Sequence, residues 1–127
     1  MSYFDRYVDV NTLLGKTLID VQVNETKHEI TFVTDEGDTY VMYHEQDCCE
    51  HVSIDDINGN ISDLIDWPLT LAEVSTNSND NPKSKWEESW TWTFYRFATV
   101  KGYVDIKWYG ASNGYYSEYV SFIKTNK

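Results

Sequence analysis

Residues 90–99 read Trp-Thr-Trp-Thr-Phe-Tyr-Arg-Phe-Ala-Thr, a run dominated by aromatic and β-branched side chains. Trp90, Trp92, Phe94 and Arg96 fall on one face, and Thr91, Thr93, Tyr95 and Phe97 on the other. Side chains of this kind fit a pleated surface and not a helix. A strand with large rings on both faces needs paired neighbours and cover on each side, so the chain must build a sheet around it.

The rest of the chain supplies the partners. Alternation predicts strands over 17–23, 28–34, 39–43, 52–57, 69–74, 103–109 and 116–123, with Ile30, Phe32, Val104, Ile106 and Trp108 inward. Gly37 supplies the positive φ for a hairpin in Asp35-Glu36-Gly37-Asp38, and Gly114 does the same in Gly110-Ala111-Ser112-Asn113-Gly114. Two short helical turns are expected, one capped by Asn11 and closed by Gly15, the other over 62–65 before Pro68. With no long helix, the expected fold is mainly β: one domain, an antiparallel meander forming a sandwich or a partly closed barrel. Residues 1–10 are its entry segment, and 75–89 a long, exposed, mobile loop where the topology is free to jump.

Charge narrows the partners. The net charge is −11. Residues 1–66 carry 15 acids and three Lys or Arg, and no Lys or Arg lies between Lys27 and Lys83. This argues against direct binding of nucleic acid or anionic membranes, and for a solvated acidic face or a surface that docks on a basic protein. There is no apolar run of spanning length and no secretory pattern at the start, so a cytoplasmic protein is expected.

The densest chemistry is His44-Glu45-Gln46-Asp47-Cys48-Cys49-Glu50-His51. His44, Asp47, Cys48, Cys49 and His51 are all metal-ligand types, yet adjacent cysteines on an extended chain point to opposite faces. The leading expectation is one cysteine in the core and one at the surface, with no metal or other cofactor; a disulfide between them is an alternative. Gly110-x-Ser112-x-Gly114 has the letters of a nucleophile elbow, but no histidine follows His51 and a strand, not a helix, comes next. No catalytic residue is assigned. Glu73, Glu118 and Asp47 could pair for hydrolysis only if the fold brought them together. Between Trp86 and Phe122, 13 of 37 residues are aromatic, more than a small core holds. Trp86, Trp90, Tyr109, Tyr115 and Tyr116, with Ser112 and Asn113 beside them, are the expected binding surface, and Glu45, Asp47 and Glu50 its acidic complement.

These segments resemble a family of small phage and bacterial proteins known as a domain of unknown function. The likeness runs through His44-x-x-Asp47-Cys48-Cys49-Glu50, Asp56-Ile57-x-Gly59, Trp92-Thr93-Phe94-Tyr95 and Trp108-Tyr109-Gly110-x-Ser112-Asn113-Gly114-Tyr115-Tyr116-Ser117-Glu118, within roughly residues 12–122. It implies a setting in phage or prophage genomes, in a bacterial cytoplasm, and no assigned activity. The expectation is a non-enzymatic binding protein that blocks a host defence or regulatory protein. The alternatives are sequestration of a nucleotide-like small ligand, and a small metalloprotein or enzyme using 44–51. A homodimer is a further expectation.

Overall fold

A computed structural model describes residues 7–78, 82–83 and 88–125. Eight strands form: β1 (Leu18–Val23), β2 (Glu29–Thr34), β3 (Thr39–Tyr43), β4 (His51–Asn58), β5 (Leu71–Asn77), β6 (Ser89–Thr99), β7 (Gly102–Ser112) and β8 (Ser121–Lys124). They make two four-stranded sheets, ordered β1-β2-β3-β8 and β4-β7-β6-β5, with every strand pair antiparallel. The sheets face each other across one core as a sandwich, without closing into a barrel. Leu18, Ile30, Phe32, Tyr40, Met42 and Phe122 come from the first sheet, and Val52, Ile54, Phe97, Val104, Ile106 and Trp108 from the second. Trp108 is fully buried, and its indole N–H points at the Met42 sulfur, 3.2 Å away.

The expected mainly β fold is what forms, with departures that have local causes. A bulge between Leu18 and Asp20 shifts the register of β1 against β2. Leu18 therefore faces the core while Ile19 is exposed, and Val21 and Val23 return inward, which simple alternation could not accommodate. A second bulge between Ile54 and Asp56 explains why Val52, Ile54 and Ile57, unevenly spaced, all pack on the core. Both helical turns are 3-10. Val10–Leu13 is capped by Asp9, whose carboxylate accepts the Asn11 N–H, in place of the expected Asn11 cap. Ile61–Leu64 is capped by Asn60.

Topology departs from a meander elsewhere than expected. The 75–89 region joins antiparallel neighbours, since Asn77 pairs with Trp92, and strand structure continues through Asn77. The chain changes sheets at residues 44–50, from β3 to β4, and again at 113–120, from β7 to β8. The closing strand is correspondingly short: 116–120 belong to the second crossing, and only Ser121–Lys124 pair with β3.

The aromatic excess forms a second layer. On the outer face of the second sheet Trp92, Tyr109 and Ala111 cluster with Trp90 and Phe94. Lys107 lies over the Trp92 ring at 4.4 Å, a cation–π contact that also shields the ring from water.

Candidate functional site

The two crossings share one end of the sandwich. Tyr43 pairs with Ser121 where β3 ends and β8 begins, and His51 pairs with Ala111 where β4 begins and β7 ends. Both connections therefore span the two sheets side by side. Backbone that leaves a ladder carries unpaired N–H groups, which must find other acceptors. Here each crossing is organised around a buried glutamate.

In the first crossing that residue is Glu50, 1% exposed. Its carboxylate accepts the backbone N–H groups of Asp47 and Cys48, both at 2.9 Å, and the Gln46 amide at 3.2 Å. His44 Nε2 approaches it to 2.8 Å. Burial alone would raise the pKa of Glu50, but the hydrogen bonds from Cys48, His44 and Asp47 outweigh it and hold the value at about 2. His44 Nδ1 lies 2.8 Å from the Tyr119 carbonyl, which can only accept, so Nδ1 carries a proton. His44 Nε2 faces the Glu50 carboxylate, so one ring bridges both partners.

In the second crossing Glu118, 6% exposed, accepts the hydroxyls of Thr91 at 2.8 Å and Ser112 at 2.6 Å. Ser112 Oγ in turn accepts the Gly114 N–H, and Asn113 Oδ1 accepts the Tyr115 N–H. Gly110 lets the loop lie flat on β7: a Cβ there would stand 2.6 Å from the Glu118 carbonyl oxygen. With the polar groups turned inward, the rings point out. Tyr115 is 86% exposed and Tyr119 62%.

Two clefts flank this loop. One of about 500 Å³ is lined by Ser89, Trp90, Thr91, Tyr116 and Glu118. The other, about 330 Å³, is lined by His44, Glu45, Asp47, Ser117 and Tyr119. Glu45 is fixed by hydrogen bonds from the hydroxyls of Tyr43, at 2.9 Å, and Tyr7.

Of the residues singled out by sequence, Trp90 and Tyr116 line the first cleft, and Glu45 and Asp47 the second. Tyr115 stands at the loop tip, while Ser112 and Asn113 form the loop's internal frame. Glu50 is the hub of the first crossing and does not face solvent. Tyr109 is elsewhere, 7% exposed against Trp92 on the outer sheet face, its hydroxyl accepting the Lys83 N–H at 3.0 Å. Trp86 lies outside the described residues.

The thiols differ from the leading expectation. Cys48 and Cys49 are joined to each other by a disulfide, and both are exposed. Neither fills the core, because the chain here has left the sheets, and neither is a thiolate available to a metal. Among the described residues no group of three or more His, Cys, Asp and Glu is arranged to hold a metal. Glu73 sits on β5 opposite Arg96, away from both crossings, so the three carboxylates do not assemble. Sequence reasoning missed Glu118 as a structural residue and Tyr119 as a surface ring. The one available signal was an acid set alone within a Ser, Asn, Gly and Tyr segment.

The fold and this end together define an antiparallel β-sandwich with two pinned inter-sheet crossings that present tyrosine and acidic side chains. The family model for DUF7448, a domain of unknown function, matches residues 11–122, and the chain belongs to that family. No curated protein and no solved structure matches it. Among the described residues no helix is long and apolar enough to cross a membrane.

Proposed function

We propose that this is a non-enzymatic binding protein, and that the end of the sandwich built by the two crossings is its contact surface. The carrying observation is the 112–119 segment, Ser-Asn-Gly-Tyr-Tyr-Ser-Glu-Tyr, whose one acid is buried as an internal staple while Tyr115 and Tyr119 face outward. Tyrosine offers large amphipathic area with few rotors, and Ser, Asn and Gly shape the backbone, the chemistry used by recognition loops. A loop fixed before contact has little ordering entropy left to lose.

Glu45 and Asp47 beside this loop, in a chain of net charge −11, favour a partner with a basic surface. Several of the chain's cations are already engaged, Arg96 with Asp105 and Lys83 with Asp55 among them. The phage setting implied by the sequence resemblance makes a host defence or regulatory protein the partner to seek. Tagged protein is used to capture partners from bacterial host lysate, in parallel with a Tyr115→Ala/Tyr119→Ala variant, each eluted in a salt gradient. A host protein retained by the parent, released as salt rises and lost with the variant supports the reading. Equal capture by both removes it.

The cleft beside Trp90 and Tyr116 supports a second reading, a small ring-bearing ligand such as a nucleotide. Titration with a nucleoside monophosphate panel, read by tryptophan fluorescence, tests it. A saturable change lost in Trp90→Leu supports it, and a flat response ends it.

A further inference from the structure

A third opening lies at the side of the sandwich, where β5 leaves the core. It is a groove of about 290 Å³ walled by Val8, Val10, Val74, Tyr95, Val120 and Phe122. That volume is at the lower end for ligand sites and exceeds the ~150 Å³ that accommodates a benzene-sized molecule. Tyr95 and Phe122 are almost wholly buried, whereas Val74 on the edge strand is 44% exposed and marks the mouth.

Thr93 belongs to the same wall. It is 3% exposed, and its hydroxyl is the one buried side-chain polar atom without a hydrogen-bond partner among the described residues. Its neighbour in pattern, Thr91, finds Glu118, so the absence is local to the groove. The strand places Thr93 between Thr76 and Trp108, with ladder pairing on both sides. Buried hydroxyls are normally satisfied, and those that are not call for a reason. Rotation about χ1 is the motion that would turn this one toward the opening. Asp9 also lines the groove and places a carboxylate there, which disfavours anions.

We propose that this groove binds a small uncharged molecule with an aromatic or aliphatic body and one polar group, which takes up the Thr93 hydroxyl. The groove adjoins the loop surface proposed for partner binding, with Tyr119 at their border, but its apolar wall and the Thr93 hydroxyl do not depend on that reading.

The test uses the full chain with three probes: benzyl alcohol, toluene and benzoate. Binding is followed by chemical shifts of the valine methyls. Benzyl alcohol is expected to move Val8, Val74 and Val120 saturably, and to bind about three- to tenfold more tightly than toluene, the worth of one neutral hydrogen bond. Benzoate is expected not to bind. Thr93→Val keeps the shape and should erase the difference between benzyl alcohol and toluene, while Thr93→Ser should retain it. The proposal is overturned if benzyl alcohol gives no saturable shift at these methyls, if benzoate binds as well, or if Thr93→Val keeps the preference.

Discussion

His44 connects two parts of the chain that lie 75 residues apart: its Nδ1 meets the carbonyl of Tyr119 at 2.8 Å while its Nε2 meets Glu50. One imidazole thus ties the first crossing to the second. The relationship gives His44→Ala a specific signature. Amide hydrogen exchange should accelerate in residues 117–120, which lose their tether. The Asp47 and Cys48 amides should remain protected, because Glu50 still accepts them. Uniform acceleration across both crossings would mean that His44 supports the fold generally and is no link between them.

Glu50 sets a pH dependence whose sign follows from its depressed pKa. The carboxyl titrates at about 2 in the folded protein against a reference of 4.5. Its contribution to stability is therefore fully present above pH 4.5 and lost as pH falls toward 2. In urea unfolding midpoints, the parent should exceed Glu50→Gln at neutral pH, and the gap should narrow between pH 4.5 and 2. A gap that stays constant over that window would show that charge on Glu50 is not what holds the crossing.

Much of the sheet content was legible because alternation is a local property. Residues 90–99 separate into two faces, and Val104, Ile106 and Trp108 of the next run fall inward as read. The bulges at β1 and β4 were not legible, since an inserted residue is recognised only against its partner strand. The crossings were hidden for a related reason. Nothing local distinguishes 113–116 from a hairpin loop, and only the pairing of β3 with β8 makes it a passage between sheets. The candidate surface was half legible: Tyr115 and Tyr116 stood out, whereas Tyr119 did not, and the roles of Glu50 and Glu118 depend on donors brought in by the fold.

Gly110 tests how closely the second crossing lies on β7. An alanine Cβ would meet the Glu118 carbonyl oxygen at 2.6 Å, the Glu118 Cβ at 3.0 Å and Val52 at 3.1 Å. The loop would have to lift, so Gly110→Ala should cost about 1–3 kcal/mol, the usual range for overpacking. The same substitution should weaken any partner captured through Tyr115 and Tyr119. Unchanged stability would mean that the loop yields without cost.

The Cys48–Cys49 disulfide should matter little for global stability. It joins neighbours, so the loop it closes in the unfolded chain is minimal, and chain-entropy arguments give it only about 1 kcal/mol. The turn it sits in is already held by Glu50 through the Asp47 and Cys48 amides. Cys48→Ser/Cys49→Ser should therefore keep the fold and lose no more than about 1 kcal/mol in urea titration. Thiol titration of the denatured parent should find no free thiol before treatment with a dithiol reductant and two after. A large loss of stability in the double variant would assign the bond a structural role beyond the turn.

Thr93→Val isolates the energetics of the one orphaned hydroxyl. Most core substitutions destabilise, because they remove contacts or leave partners unsatisfied. Here the hydroxyl has no partner to abandon, and valine replaces an oxygen by a methyl of nearly the same size. The folded state no longer bears the desolvation of an unpaired polar group, while the unfolded state loses a hydrated one. The expected outcome is neutral to stabilising by about 1 kcal/mol in the absence of ligand. Thr91→Val, two residues away on the same face, should do the opposite. It strips Glu118 of a donor at 2.8 Å and should destabilise by about 1–3 kcal/mol, the cost of leaving a buried acceptor short. Opposite signs for two Thr→Val changes on one face of one strand would separate a hydroxyl that holds the fold from one held in reserve for a ligand. Equal losses at both positions would show that Thr93 already has a partner in solution, water included.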